Sequence, residues 1–134
     1  MALQLSAAAR NARLDAIEAT AGTTAKLQLR SGAQPADCAT AASGTLLAEL
    51  TLPSDWMSAA AAGSKAKLGT WSGTGAAAGT AAHFRIVDNA GTTCHLQGSV
   101  TLTAGGGDMT LDNTSIAAAQ AVTITSFTLT DANA

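Results

Sequence analysis

Large hydrophobic side chains are scarce in this chain of 134 residues. It contains no tyrosine, two tryptophans and two phenylalanines, and leucine, isoleucine, valine and phenylalanine together number 23. Alanine, threonine, glycine and serine make up 75 residues, of which 33 are alanine. Such a composition would indicate disorder if the net charge were high, but the formal net charge is −2. We therefore expect one folded domain with a thin hydrophobic core.

Positive charge is also scarce, with seven lysines and arginines against nine aspartates and glutamates. Nucleic-acid binding needs clustered basic residues that displace counterions, so we expect no nucleic-acid partner. The N-terminus lacks a basic start followed by an apolar run, and the long uncharged stretches are rich in threonine, serine and glycine. We therefore expect neither a signal peptide nor a membrane segment, and synthesis in the cytoplasm.

The two cysteines, Cys38 and Cys94, are too few for a disulfide framework. We interpret them as free thiols in protein made in a reducing compartment, with a single bridge as the alternative. Cys94 shares one side of a period-two pattern with Leu96 and Val100, so we expect its thiol to be buried and slow to react.

Converging catalytic or metal-binding groups are missing from the pattern. The only histidines, His83 and His95, fall on the polar sides of predicted strands and are interpreted as surface or interface residues. No zinc-binding or nucleophilic-serine motif is present. Asp108 and Asp112 with Asn113 could hold calcium in a loop, but turn capping explains them as well. We expect no enzymatic activity, no cofactor and no resident metal.

The N-terminal segment has the pattern of a helix. Ser6 can accept a backbone hydrogen bond as the N-cap, no glycine or proline follows until Gly22, and Gly22 is a plausible stop. The stripe at helical spacing contains only two large apolar residues. Its members are Ala7, Arg10, Leu14, Ile17 and Ala21.

A helix with so narrow an apolar face is held weakly by its own domain, because tertiary burial supplies most helix stability. We therefore expect residues 1–22 to form an arm that docks on a neighbouring subunit. The two isolated tryptophans either anchor a core or an interface, or form a platform for a sugar ring. The candidate interface residues are Arg10, Leu14, Ile17, Trp56 and Trp71.

Alternation with a period of two dominates residues 23–134 and predicts seven or eight short strands separated by turns. In the last of these strands the apolar register changes at Ser126, which indicates a bulge or a crossing between two sheets. The sequence thus predicts a mainly β fold, an antiparallel β-sandwich resembling a jelly roll, after one N-terminal helix. The predicted strands cover residues 25–30, 45–52, 67–72, 80–87, 94–103, 108–111 and 121–130.

Five segments of the chain resemble a family of small proteins encoded by tailed bacteriophages and prophages. They are residues 9–18, 29–32, 83–93, 106–116 and 122–129, and they carry strand and turn signatures without catalytic residues. The resemblance implies a structural protein of the virion, on the capsid surface, that decorates the head and clamps neighbouring major capsid subunits. It implies a homo-oligomer, either a dimer or a trimer, and supplies no residue-level binding site.

Two alternatives to a capsid decoration protein stay open. The chain could be a tail or fibre component, or it could be a module that binds carbohydrate on a host surface. A thinly cored domain of low charge agrees with a protein that is stabilised by its partners, and the resemblance names the major capsid protein as that partner.

Overall fold

The structure is a computed structural model that describes residues 3–132, and strands dominate this part of the chain. One helix here precedes eleven short strands. They are α1 (Ala7–Ala21), β1 (Lys26–Arg30), β2 (Leu46–Thr51), β3 (Ser64–Ala66), β4 (Trp71–Thr74), β5 (Gly79–Thr80), β6 (His83–Val87), β7 (Cys94–Leu102), β8 (Met109–Leu111), β9 (Ser115–Ile116), β10 (Ala121–Ile124) and β11 (Thr128–Thr130).

The strands form one five-stranded sheet in the order β2-β1-β6-β7-β8 and three two-stranded ribbons, β4-β10, β3-β11 and β5-β9. The mainly β fold with one N-terminal helix is as predicted. The expectation of purely antiparallel pairing is wrong at one place, because β8 pairs in parallel with β7. The pairings do not by themselves establish a jelly-roll sandwich.

The predicted change of register at Ser126 is confirmed as a change of partner. On its N-terminal side β10 pairs with β4, and on its C-terminal side β11 pairs with β3. The strand predicted over residues 67–72 is misplaced, since β3 ends before it and β4 begins at Trp71. The chain turns between them at Gly69, where φ is +72° and a Cβ atom would lie 2.9 Å from Pro53 Cγ.

All four aromatic residues of the chain meet in the core. The ring centroids are 5.9 Å apart for Trp56 and Trp71, 5.7 Å for Trp71 and Phe127, and 5.5 Å for Phe84 and Phe127. Each indole N–H donates to a carbonyl, Trp56 to Gly22 and Trp71 to Leu68. The few large side chains are thus concentrated in one stack, where each buries much apolar area.

This burial corrects two expectations about the tryptophans. Trp56 and Trp71 both have 0% exposed surface, so neither one presents a face to a partner subunit or to a sugar ring. Few other large side chains are available, so the two indole rings are needed to fill the volume of the core.

The helix α1 begins and ends where the sequence predicts. Ser6 Oγ accepts a hydrogen bond from the Ala9 N–H at 3.1 Å, and the Gly22 N–H donates to the Glu18 carbonyl at 2.9 Å. Gly22 has a φ of +87°, which favours glycine at this stop.

Candidate interaction surface

Polar contacts fix α1 to the β domain, and Lys65 is at their centre. This side chain is 3% exposed, and its Nζ donates to Asp15 Oδ1 at 2.7 Å and to the Ser58 carbonyl at 2.8 Å. Glu18 Oε2 lies 2.9 Å from the same Nζ. Burial opposes the charge, yet the hydrogen bonds to the two carboxylates hold the pKa of Lys65 above its ordinary value. The same bond with Lys65 lowers the pKa of Asp15.

Further side chains of α1 bond to backbone groups of the β domain. Glu18 Oε1 accepts from the N–H groups of Trp56 at 3.1 Å and Met57 at 3.0 Å. Asn11 Oδ1 accepts from the Gly63 N–H, and Arg10 Nη1 donates to the Asp131 carbonyl. The N–H groups of Trp56, Met57 and Gly63 belong to buried residues and would otherwise lack a partner, so the bonds are structural.

The helix is therefore attached to its own domain, and the expectation that it docks on another subunit instead is wrong. Leu14, with 4% exposed surface, and Ala21 are buried against the β domain, so Leu14 presents no interface. The expectation failed because it counted apolar residues, whereas the attachment depends on carboxylate, amide and guanidinium groups. Arg10 and Ile17 are half-buried, and both keep some surface.

A hollow of about 530 Å³ opens beside Lys65, and the three charged side chains Asp15, Glu18 and Lys65 in its lining already have partners. Asp15, Glu18 and Lys65 bond to one another or to backbone groups across its floor. We interpret this hollow as the seam along which α1 packs.

The outer edge of β7 offers backbone groups that no strand pairs with along part of its length. The Val100 N–H donates to the Ala82 carbonyl next to β6, and Gly98, two residues earlier, pairs with Phe84 of β6. Val100 and Gly98 therefore direct their backbone groups towards β6. The intervening residues, Gln97 and Ser99, therefore direct their backbone groups away from β6. Asp108 Oδ2 caps the Ser99 N–H at 2.9 Å, and β8 begins to pair only at Val100. The backbone of Gln97 is left open among the described contacts.

A second open edge belongs to β11. Its partner is β3. The Lys67 N–H donates to the Phe127 carbonyl and the Asp131 N–H donates to the Gly63 carbonyl, so the backbone groups of Phe127 and Asp131 point towards β3. Thr128 and Thr130 accordingly point their backbone groups away from β3, and both residues are exposed.

The two open edges border one hollow of about 430 Å³, which we call the edge groove. Leu96 and Leu129 are the half-buried apolar residues on its walls. Unpaired strand edges are templates for pairing with another chain, and here two of them share a hollow. The edge groove is lined by Phe84, Leu96, Gln97, Gly107, Asp108, Phe127, Thr128, Leu129 and Thr130.

The edge groove adjoins the outer surface of α1. Thr130 also lines a hollow of about 490 Å³ that includes Arg13 and Ile17, and these two residues line a further hollow of about 240 Å³ with His95. Leu14 also lines the hollow of about 490 Å³ but is buried, so among the sequence-predicted interface residues that line these hollows Ile17 is the one that keeps exposed surface. Periodicity identified Ile17, but no pattern in the sequence pointed to the edge groove, because strand pairing decides which edges stay open.

The two histidines differ in position. His83 is fully buried, with its Nδ1 3.0 Å from the Gly32 carbonyl, so the expectation of a surface residue is wrong. The β1–β2 loop, residues 31–45, covers it, and burial lowers the pKa of His83. His95 is half-buried beside α1.

Two of the three residues considered for calcium, Asp108 and Asn113, accept hydrogen bonds from groups of this chain. Asp108 accepts from the Ser99 N–H and hydroxyl, which lower its pKa, and Asn113 accepts from the Ser115 N–H in a turn. Within residues 3–132 no group of three or more histidine, cysteine, aspartate or glutamate side chains is placed to hold a metal ion.

The cysteines are free thiols, and both are half-buried. Cys94 is therefore less buried than expected. It is the first residue of β7 and lies at a register shift, outside the regular part of the ladder.

No protein-family model, curated protein or solved structure matches the chain. The helix in the described residues is too short and too polar to cross a membrane.

Proposed function

We propose that this chain is a structural virion protein of a tailed bacteriophage, a decoration protein that binds the outer capsid and clamps neighbouring major capsid subunits. It acts without enzymatic chemistry, as a homo-oligomer on the capsid surface. The sequence resemblance supports the class of protein. The edge groove is the structural observation that supports the mode of binding, because residues of two unpaired strand edges line it.

Within this proposal the groove receives an extended segment of a capsid subunit. The segment would exchange backbone hydrogen bonds with Gln97 on one side and with Thr128 and Thr130 on the other. Backbone pairing supplies affinity in this mode of recognition, and apolar contacts with Leu96 and Leu129 supply register. We also propose that the curled sheet and the ribbons form a jelly-roll-like sandwich whose open edges face the shell.

Lattice geometry then explains why the protein would bind finished shells. One standard interface buries about 1,600 Å² in total, so a domain of this size has limited area for contact with each neighbouring subunit. Contacts with two or three subunits make the later contacts intramolecular and raise avidity by roughly 10²–10⁴. Since the chain carries few charges, we expect binding to survive moderate salt.

The test uses particles assembled by a phage whose gene for this protein has been deleted. Added protein should bind assembled shells at least tenfold more tightly than free capsid subunits, and should raise the temperature at which shells rupture. Hundreds of copies per particle are expected. An unchanged rupture temperature, with the protein located on the tail, would replace this proposal with the tail component.

A pair of variants tests the edge groove itself. Thr128→Pro removes an N–H that the fold does not use, whereas Thr128→Ala keeps it and removes only the side chain. We expect the proline variant to lose shell binding and the alanine variant to retain it, with both melting within a few degrees of the parent. Equal binding by the two variants, both folded, would exclude strand pairing at β11.

Apolar contacts next to the groove are tested with Ile17→Asp, which places a charge beside the open edges. Leu102→Asp is the matched control, because Leu102 is 51% exposed and lines none of the three adjoining hollows. We expect the first variant to bind shells at least tenfold more weakly and the control to bind like the parent.

A further inference from the structure

Two thiols meet where the β1–β2 loop crosses the start of β7. Cys38 Sγ and Cys94 Sγ are 2.9 Å apart, although 56 positions separate the residues in the sequence. We propose that Cys38 and Cys94 form an oxidative modification site, at which a small-molecule disulfide converts the two thiols into a bridge that fastens the loop to the sheet.

The backbone around Cys38 is held in place by the strand next to β7. Arg85 of β6 is 4% exposed and donates through Nη2 to the Cys38 carbonyl at 2.8 Å and through Nη1 to the Thr40 carbonyl at 3.0 Å. On the other side, Asp37 Oδ1 accepts from the Thr40 N–H at 2.7 Å and closes a turn around the cysteine.

The β7 side of the site is fixed as well. Gln97 Nε2 donates to the Pro35 carbonyl at 2.8 Å, so the loop is tied to β7 three residues beyond Cys94. The Cys94 thiol also lies 3.4 Å from the Leu96 carbonyl. Because both backbones are anchored, the thiols are already neighbours and bridging requires only a small approach of the sulfurs.

Both thiols are half-buried, which leaves them within reach of a small reagent. Burial, together with the bond to Cys94, raises the pKa of the Cys38 thiol to about 11. The Cys38 thiol therefore stays protonated at neutral pH until a base removes its proton.

The reaction is a thiol–disulfide exchange in two steps. One cysteine of the pair loses its proton to solvent and attacks one sulfur of the reagent RSSR, so that a mixed disulfide forms and one RS⁻ leaves. The other cysteine then gives its proton to solvent, its sulfur attacks the cysteine sulfur of the mixed disulfide and a second RS⁻ leaves. Both cysteines are oxidised, and the reagent is reduced to two thiols.

The test starts from reduced, full-length protein with two titratable thiols. After incubation with oxidised glutathione, we expect both thiols to disappear, the intact mass to fall by two hydrogen atoms, and no glutathione to remain attached. The melting temperature should rise by roughly 5–15 °C, and hydrogen exchange in residues 31–45 should slow.

Cys38→Ser and Cys94→Ser are the matched controls, because each leaves one thiol with nothing to attack the mixed disulfide. Each should retain at most one glutathionyl group and show no rise in melting temperature. Two glutathionyl groups on the parent chain, two unreacted thiols, or bridges between chains would each overturn the proposal.

Discussion

Lys65 and Asp15 join the β domain to α1 through a 2.7 Å hydrogen bond between Nζ and Oδ1, although half of the Asp15 side chain faces solvent. The cation is the buried partner and the carboxylate the exposed one. Loss of either side of this contact costs free energy. Lys65 is too buried for water to replace a lost carboxylate, and removal of Lys65 takes the donor from the Ser58 carbonyl and from two carboxylates.

Lys65→Met should therefore lower the free energy of unfolding by about 2 kcal/mol, since the Ser58 carbonyl and two carboxylates lose their donor. Denaturant titration measures the change. Lys67→Met is the matched control, because Lys67 is half-buried and its ammonium group lies 5.7 Å from the centre of the Trp71 ring. A loss below about 1 kcal/mol is expected for the control. Equal losses would show that the Lys65 contacts are not special.

Deletion of residues 1–22 should leave a β domain that no longer unfolds cooperatively. The deletion removes Glu18, which accepts from two backbone N–H groups, and Gly22, whose carbonyl accepts from the Trp56 indole. It also removes Ala21 from the core. Near-ultraviolet circular dichroism and thermal unfolding report the result. A truncated protein with a sharp transition and native tryptophan signals would restore the interpretation of residues 1–22 as an independent arm.

Acid should destabilise the protein in two steps. Burial and the nearby charges of Arg30 and Arg85 lower the pKa of His83, against a bond to the Gly32 carbonyl that raises it. The unfolded chain therefore takes up this proton first, and stability starts to fall below about pH 6.5. The pKa of Asp108 is lowered by its bonds to Ser99, so its contribution is present above the ordinary carboxyl pKa and is lost below about pH 4.

Melting temperatures between pH 3 and 8 check both steps. Asp108→Asn should reduce the lower step, to which Asp15 also contributes, and leave the upper one, whereas His83→Gln should remove the upper step and leave the lower one. A single transition near pH 4 in the parent would contradict the role given to His83.

Gly98 should not tolerate alanine. A Cβ atom there would lie 2.7 Å from Phe84 Cε1 and 2.9 Å from Asp108 Cβ, so the Phe84 ring would have to leave its edge contact with Phe127. We expect a loss of about 1–3 kcal/mol. Phe84→Leu is the companion change, since a smaller side chain makes room, and the double variant should lose less than the sum of the single variants. Strict additivity would show that the two positions do not share the strain.

The strands were predictable from sequence where one face is buried and the other is polar. Leu27 and Leu29 of β1 and Ile86 of β6 follow that rule, as does the switch at Ser126. In these strands the period of two separates apolar from polar side chains, although Gln28 and Arg85 on the polar side are buried as well.

The position of α1 and the edge groove were not predictable in this way. Lys65 is 50 positions from Asp15 in the sequence and shares no pattern with Asp15 and Glu18 of α1, so its meeting with them is visible only in three dimensions. Trp56 and Trp71 were predicted to anchor either a core or an interface, and only their place in the structure shows that they anchor the core, because isolated aromatics carry no periodic signal of their own. The open edges of β7 and β11 depend on which strands pair, and β8 pairs in parallel with β7 only from Val100 onwards.

Arg85→Met should release the β1–β2 loop from the sheet. The side chain of Arg85 holds the carbonyl groups of Cys38 and Thr40, and no other described hydrogen bond reaches them. We expect a loss of about 2 kcal/mol in unfolding free energy and at least tenfold faster hydrogen exchange in residues 31–45. Arg30→Met is the matched control, because Arg30 donates to Gln28 of its own strand and touches no loop carbonyl. If exchange in the loop rises equally in both variants, general destabilisation explains it and the specific anchoring by Arg85 is wrong.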